Sequence, residues 1–297
     1  MREEIERITV VTVCDNHFAV MLAALIKSIE LNHLTEEAID LYIVEDGMSN
    51  SNRQLVSNTI EDPKMTIHWL SMKDVVDIQK LPLDASTFPL NVYTRLFIPH
   101  FLPESCTKAI YLDVDMIVRK DLSELWHVDL QGRTIGGVLD RAERVSTSWA
   151  GIANYKELDI APESGYYNSG LLVIDLQQWR RSQLTEEVVA AIIQNKQYAN
   201  FPDQYGLNVV FANKWHTLDA KWNTYAFTET KDPYIIHFIG VKPIYSSYNN
   251  NLEYKREFFE YLSRTGFKSY KPKSNYVRFL KKLYNLAEKK IKSFLKS

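Results

Sequence analysis

Two aspartates spaced two residues apart, Asp113 and Asp115, lie in the apolar run Lys-Ala-Ile-Tyr-Leu-Asp-Val-Asp-Met-Ile-Val-Arg-Lys from Lys108 to Lys120. At the period of a strand, both carboxylates project to the same side. Their backbones would stand about 7 Å apart at roughly 3.3 Å of rise per residue. Both arms can then reach one divalent cation through bonds of about 2.1 Å. Without a cation, two like charges at a buried strand end repel and drive one pKa upward. That cost favours a metal site over the plain alternative, an acidic surface turn. His237 interrupts the apolar stretch Tyr234-Ile235-Ile236-His237-Phe238, and Gly240 and Lys242 follow it. It is either a hydrogen-bonded core residue or a third ligand beside a backbone turn and an ammonium that face a phosphate. Arg95 stands among apolar neighbours and reads as a solvated residue or a carboxylate partner, while Asp203 after Phe201-Pro202 reads as a first-turn acid of a helix.

These residues need elements to hold them. Ile8 to Cys14 is a β-branched run ending at Asp15-Asn16-His17, and a helical pattern with Met21, Leu25, Ser28 and Ile29 on one face follows. Ile39, Leu41 and Ile43 alternate as a second strand, Ser49 can cap a helix running to about Thr59, and Met65 to Leu70 suggests a third strand. Asn91 to Phe97 has a helical pattern, Thr134 to Leu139 reads as a strand ending at Asp140, and Arg141 to Glu163 reads as a long loop or lid. Tyr166-Tyr167-Asn168-Ser169-Gly170 leads into the apolar run Leu171 to Ile174, with helices over Thr185 to Gln194 and from Phe201 onward. Strands alternating with helices predict an α/β fold with a mainly parallel sheet and ligands at the carboxyl ends of its strands. Neither of the Gly-rich phosphate fingerprints occurs, so bound phosphates would need a cation or basic side chains.

The 297 residues, 45% of them hydrophobic, suffice for an ordinary globular core. A net charge of -2 argues against a nucleic-acid binder, and two cysteines, Cys14 and Cys106, are too few for a disulfide framework. The charged first residues do not have the form of a signal peptide, and no window offers a spanning apolar stretch, so a cytosolic protein is expected. The chain reads as one domain over 1–274 and a distinct tail over 275–297. In the tail, Arg278 and six lysines oppose Glu288. Tyr276, Leu280, Leu283, Ala287, Ile291 and Phe294 recur at steps of four and three, which makes a basic amphipathic helix. Such a helix suits an anionic membrane surface or packs on its own domain.

In order along the chain, Cys14-Asp15-Asn16-His17-Phe18, Tyr93-Thr94-Arg95-Leu96, Tyr111-Leu112-Asp113-Val114-Asp115, Asn168-Ser169-Gly170 with Trp179-Arg180, Phe201-Pro202-Asp203-Gln204 and His237-Phe238-Ile239-Gly240-Val241-Lys242-Pro243 stand together. This series resembles the family 8 retaining glycosyltransferases with the Rossmann-like GT-A fold, especially bacterial enzymes that add α-linked galactose or glucose to lipopolysaccharide. The resemblance implies transfer of a hexose from a UDP-sugar to a saccharide or lipid-linked glycan acceptor, and the basic tail adds the expectation of a place on the inner face of the cell membrane. It implies Asp113, Asp115 and His237 as ligands of Mn²⁺, with Mg²⁺ as an alternative. It puts the nucleotide on Thr12, Asp15, Asn16, His17, Asp113, Val114, Gly240 and Lys242. The donor sugar falls to Arg95, Asp140, Asn168, Ser169, Gly170, Asp203 and Gln204, with Gln204, Asp203 and Lys242 acting in the reaction. The chain departs from the family's common pattern at Cys14, where an acid is frequent, at His17, where another aromatic residue is frequent, and at Ile244, where Trp is common.

Two other readings start from the same residues. An apolar strand followed by Asp-x-Asp also introduces haloacid-dehalogenase-like phosphatases, in which Asp113 would be the nucleophile. That class usually carries the motif near its amino terminus, and here a hundred residues precede it. A sugar-nucleotide or glycan binding protein that keeps the metal site without turnover is the non-enzymatic reading.

Overall fold

The computed structural model describes residues 6–76, 81 and 88–294. The strands described are β1 (Arg7–Asp15), β2 (Ala38–Asp46), β3 (Met65–Ser71), β4 (Lys108–Leu112), β5 (Met116–Val118), β6 (Ile135–Arg144), β7 (Gly165–Asp175), β8 (His216–Thr217), β9 (Thr224–Tyr225) and β10 (Ile235–His237). The chain divides into two compact units. The first takes in the chain up to Met72, Ala109–Val128 and Ala220–Leu280, and the second takes in Lys73–Lys108, Asp129–Asp219 and the chain from Lys281.

In the first unit the strand order is β3-β2-β1-β4, and each pairing is parallel. Ile8, Val10, Val11 and Val13 of β1 are all buried. Such near-continuous burial marks a strand covered on both faces, as parallel strands are. The helix Ala19–Asn32 follows β1, and the helix Asn50–Ser57 follows β2. Ser49 caps the latter as the sequence suggests, its hydroxyl accepting the Asn52 N–H at 3.2 Å. Asp15 closes β1 and turns the chain, its Oδ1 accepting the N–H groups of His17 at 2.9 Å and Phe18 at 3.1 Å.

The stretch from Lys108 to Lys120 is not one strand. β4 stops at Leu112, a turn carries Asp113, Val114 and Asp115, and β5 joins a second sheet in the order β5-β10-β9. β10 pairs antiparallel with β5, so that His237 faces Met116, and parallel with β9, so that His237 faces Tyr225. The physical reason lies in the partners. Inside an apolar ladder two carboxylates would have no counter-charge, whereas the turn delivers them to a tyrosine, a histidine and a lysine. Ile117, Ile236 and Phe238 pack with Met21, Ala24, Phe258 and Leu262 in one core, which fixes this sheet on the helices Ala19–Asn32 and Leu252–Ser263.

In the second unit the order is β7-β6-β8, with β6 and β7 antiparallel and β6 and β8 parallel. The sequence places a loop from Arg141, but β6 runs on to Arg144, which pairs with Gly165. The register shifts twice along this pair, and those irregularities hide the strand from a search for strict alternation. The helices Leu184–Gln194 and Pro202–Val210 pack closely at Gly206, where a Cβ would stand 2.5 Å from Ile192 Cγ1. Among the described residues, no helix is long and apolar enough to cross a membrane.

Candidate active site

In the first unit the turn between β4 and β5 and the end of β10 bring three predicted metal ligands together. One ligand atom from each of Asp113, Asp115 and His237 lies within 4.8 Å of the others. His237 Nε2 is 3.2 Å from Asp115 Oδ1 and 3.8 Å from Asp113 Oδ2. The Lys242 ammonium pairs with Asp115 Oδ2. The backbone supports this grouping, since Phe238 N–H donates to the Asp115 carbonyl at 2.9 Å. Burial acts to raise the Asp115 pKa, but Lys242 and His237 outweigh it and hold the carboxyl well below the usual range. Asp115 is therefore a buried anion with two cationic or proton-donating neighbours, not part of an acidic surface turn.

Other residues predicted for the nucleotide lie in the same unit. Thr12 Oγ1 is buried and finds no hydrogen-bond partner among the described residues, as a group waiting for a ligand would. Asn16 is exposed, and its Oδ1 accepts from Ser49 N–H at 2.9 Å and Asn52 Nδ2 at 2.8 Å, so it also organises the loop ahead of the helix Asn50–Ser57. His17 Nε2 lies 2.7 Å from the Tyr245 hydroxyl with the two rings stacked at 5.9 Å. Burial pushes the Tyr245 pKa up to about 12. Gly240 has a φ of +76°, a backbone state that side chains disfavour, and the turn it makes leads to Lys242. Val114 packs at the margin of the hydrophobic core described above.

The second unit gathers all seven residues predicted for the donor sugar into one polar network. Asp203 Oδ2 receives the Arg95 Nε at 3.2 Å and the Ser169 hydroxyl at 3.0 Å. Arg95 also donates to the Ser169 hydroxyl at 3.1 Å, so it is a buried partner of Asp203 and not a solvated residue. Gln204 Oε1 accepts from Ser169 N–H at 3.1 Å and Asn168 Nδ2 at 3.2 Å. Asp140 Oδ2 accepts from Asn168 Nδ2 at 3.0 Å and Gln204 Nε2 at 3.3 Å. Gly170 N–H is held by Asn168 Oδ1 at 3.0 Å. Asp203 is thus far more than a helix cap.

Three further residues touch these groups. The Tyr111 hydroxyl donates to Asp113 Oδ1 at 2.7 Å, Asn223 Oδ1 lies 2.8 Å from His237 Nδ1, and Tyr245 meets His17. Tyr111 was legible, because it precedes Asp113 by the two-residue period of a strand. Asn223 gives no signal, since it reaches His237 through strand pairing across 14 positions.

The chain is similar to several known proteins. The chain is 27% identical over 286 residues to general stress protein A of Bacillus subtilis (strain 168), covering 89% of this chain and 96% of that one. It is 25% identical over 186 residues to a lipopolysaccharide 1,2-glucosyltransferase of Escherichia coli (strain K12), covering 63% of this chain and only 53% of that one. The crystal structure of the galactosyltransferase LgtC in complex with donor and acceptor sugar analogues superposes with a TM-score of 0.73 at 22% identity, over 87% of this chain and 96% of that one. That likeness shows the GT-A type of α/β fold. The pattern of glycosyl transferase family 8 matches residues 9–243. Matched over most of its length, the chain belongs to glycosyl transferase family 8.

Proposed function

We propose that this glycosyltransferase is a metal-dependent retaining enzyme that moves galactose or glucose from a UDP-hexose to a saccharide or lipid-linked glycan acceptor, in the synthesis of lipopolysaccharide or another surface glycan. The convergence of Asp113, Asp115 and His237 beside Lys242 carries this reading. The names of a lipopolysaccharide glucosyltransferase and of a galactosyltransferase among its relatives support the class of donor and product.

The donor set fits a divalent cation: two carboxylates and one imidazole nitrogen, with the other imidazole nitrogen held by an amide. Asp113, Asp115 and His237 would hold Mn²⁺ or Mg²⁺, which when bound stabilises the negative charge growing on the departing diphosphate. Lys242 brings its own ammonium to that place, and Gly240 shapes the turn that presents it. Thr12, Asp15, Asn16 and His17 take the uridine side, with Val114 between the two acids. Asp140, Asn168, Ser169, Gly170, Arg95, Asp203 and Gln204 surround the hexose.

For retention, an enzyme carboxylate must attack the anomeric carbon first, as in retaining glycosidases, or the acceptor must attack on the leaving group's own face. Gln204 is a neutral amide and poor nucleophile, and Asp203 is committed to Arg95 and Ser169. Same-face attack, with the departing phosphate accepting the acceptor's proton, is the reading these bonds favour. Membership of the family leaves no support for Asp113 as a phosphatase nucleophile.

For the 275–294 helix we infer a place on the inner, anionic face of the membrane, a reading its exposure supports. Its apolar side faces outward, with Tyr276 at 67% and Ile291 at 62% exposure, while Asn285 and Lys289 are buried. Exposed aromatics on a basic helix fit the surface of an anionic bilayer.

The test is a panel of UDP-sugars incubated with the protein in Mn²⁺, Mg²⁺ or EDTA. Release of UDP from UDP-galactose or UDP-glucose that stops in EDTA is expected, as is an α-configured product by NMR. Tight UDP binding without any turnover would instead make the protein a binding module.

A further inference from the structure

The His237 imidazole has two distinct sides. Nε2 faces Asp115 Oδ1 at 3.2 Å, and Nδ1 lies 2.8 Å from Asn223 Oδ1. A carboxamide oxygen only accepts, so in this pair Nδ1 keeps a proton, and Nε2, which faces Asp115, is the nitrogen left to release its proton and offer a lone pair to a cation. Were the amide reversed, its NH₂ would seek a lone pair on Nδ1 and force the proton onto Nε2, which would close the imidazole to metal. His237 is 2% exposed and Asn223 is 4% exposed, which leaves solvent little access to replace the carboxamide.

The fold fixes this pair through strands, not through side chains alone. Asn223 ends the 3-10 turn Ala220–Asn223, and the next two residues form β9. Tyr225 of β9 lies opposite His237, and Ala226 N–H donates to the His237 carbonyl at 2.9 Å. On its other side β10 pairs with β5, directly after Asp115. One small sheet therefore sets Asp115, His237 and Asn223 in register.

The geometry points to Asn223 as a positioning residue for the reaction: it holds the His237 tautomer and ring plane that present Nε2 to the divalent cation. The assignment rests on the metal reading given above. A partner of this kind is worth about 10-fold to 100-fold in metal affinity.

The experiment measures Mn²⁺ affinity at saturating UDP by electron paramagnetic resonance titration, which does not depend on turnover. Asn223→Leu removes the acceptor while keeping the branched shape, Asn223→Ser removes it without added bulk, and Asn223→Asp keeps it. Asn223→Leu and Asn223→Ser are expected to weaken Mn²⁺ binding by about 10-fold to 100-fold, and Asn223→Asp to stay within about threefold of the unaltered protein. Long-range ¹H–¹⁵N spectra of the imidazole should show Nδ1 protonated in the unaltered protein and mixed tautomers in Asn223→Ser. Thermal melting in EDTA identifies variants that fold, and Asn223→Ser carries the test where Asn223→Leu does not. Asp115→Asn separates the two readings. If Asp115→Asn abolishes Mn²⁺ binding while folded Asn223→Ser retains it undiminished, the role of Asn223 is overturned alone. If Asp115→Asn binds Mn²⁺ as the unaltered protein does, the metal reading fails and the Asn223 role falls with it.

Discussion

Asp115 has the Lys242 ammonium on one oxygen and the His237 imidazole on the other, and this setting keeps it ionised despite its burial. Asp115→Asn keeps the shape of the side chain and removes its charge. It is expected to melt as a folded protein and to lose metal-dependent turnover, and full activity in this variant would sink the metal assignment. In the proposed reaction Lys242 meets a charge that grows on the leaving diphosphate, so its loss would fall mainly on the transition state. Lys242→Ala should lower kcat as well as raise KM for the donor, and an unchanged kcat would put Lys242 in ground-state binding. Tyr111 holds one oxygen of Asp113 by a bond of 2.7 Å, so Tyr111→Phe should weaken Mn²⁺ binding by about 10-fold without changing the response to donor epimer.

At the scale of elements, two short connections hold the framework of the site. Asp121 caps the helix Leu122–Trp126 through Ser123 N–H at 2.9 Å, and its other oxygen accepts Thr35 N–H at 3.1 Å, just beyond the helix Ala19–Asn32. Burial acts to raise its pKa, but the backbone N–H groups of Ser123 and Leu34 outweigh that and draw it down to about 2. A carboxyl whose folded pKa lies below its unfolded value stabilises the fold above the unfolded value, near pH 4. That contribution is lost as pH falls toward about 2. Asp121→Asn should therefore melt earlier at neutral pH, with the gap to the unaltered protein shrinking over the acid range, and a pH-independent gap would remove charge from the account. Gly206 tests a second joint. Alanine there would gain about 1 kcal/mol of helix propensity, but overpacking against Ile192 costs about 1–3 kcal/mol. Gly206→Ala is expected to lower Tm, and a rise would mean that the two helices separate freely.

At the scale of the whole molecule, the charge is concentrated in the tail. Between Arg278 and Lys296 stand seven basic residues against Glu288. Each near an anionic bilayer contributes on the order of 1 kcal/mol, enough for reversible binding when the outward apolar side is added. Removing residues 275–297 should leave UDP-sugar hydrolysis intact, because each assigned site residue precedes Pro243. It should also release the protein from anionic vesicles in cosedimentation. A truncated chain that sediments as the full chain does would refute the membrane role proposed for this helix.

The sequence by itself determined what depends on local pattern. The apolar run of β1, the Ser49 cap and the order of motifs from Cys14 to Pro243 dictated an α/β chain of this family, since periodicity and residue type act within a few positions. Asp113, Asp115 and His237 stood out because charged or polar groups within apolar runs of sequence need a reason. The tertiary structure decided everything that pairs distant segments. It broke the Lys108 to Lys120 stretch into two strands of different sheets, extended β6 through irregular register, and turned Arg95 from a solvated residue into the buried partner of Asp203. It also set Asn223 behind His237, because a hydrogen bond across paired strands is fixed by register, and register is set by the packing of whole sheets.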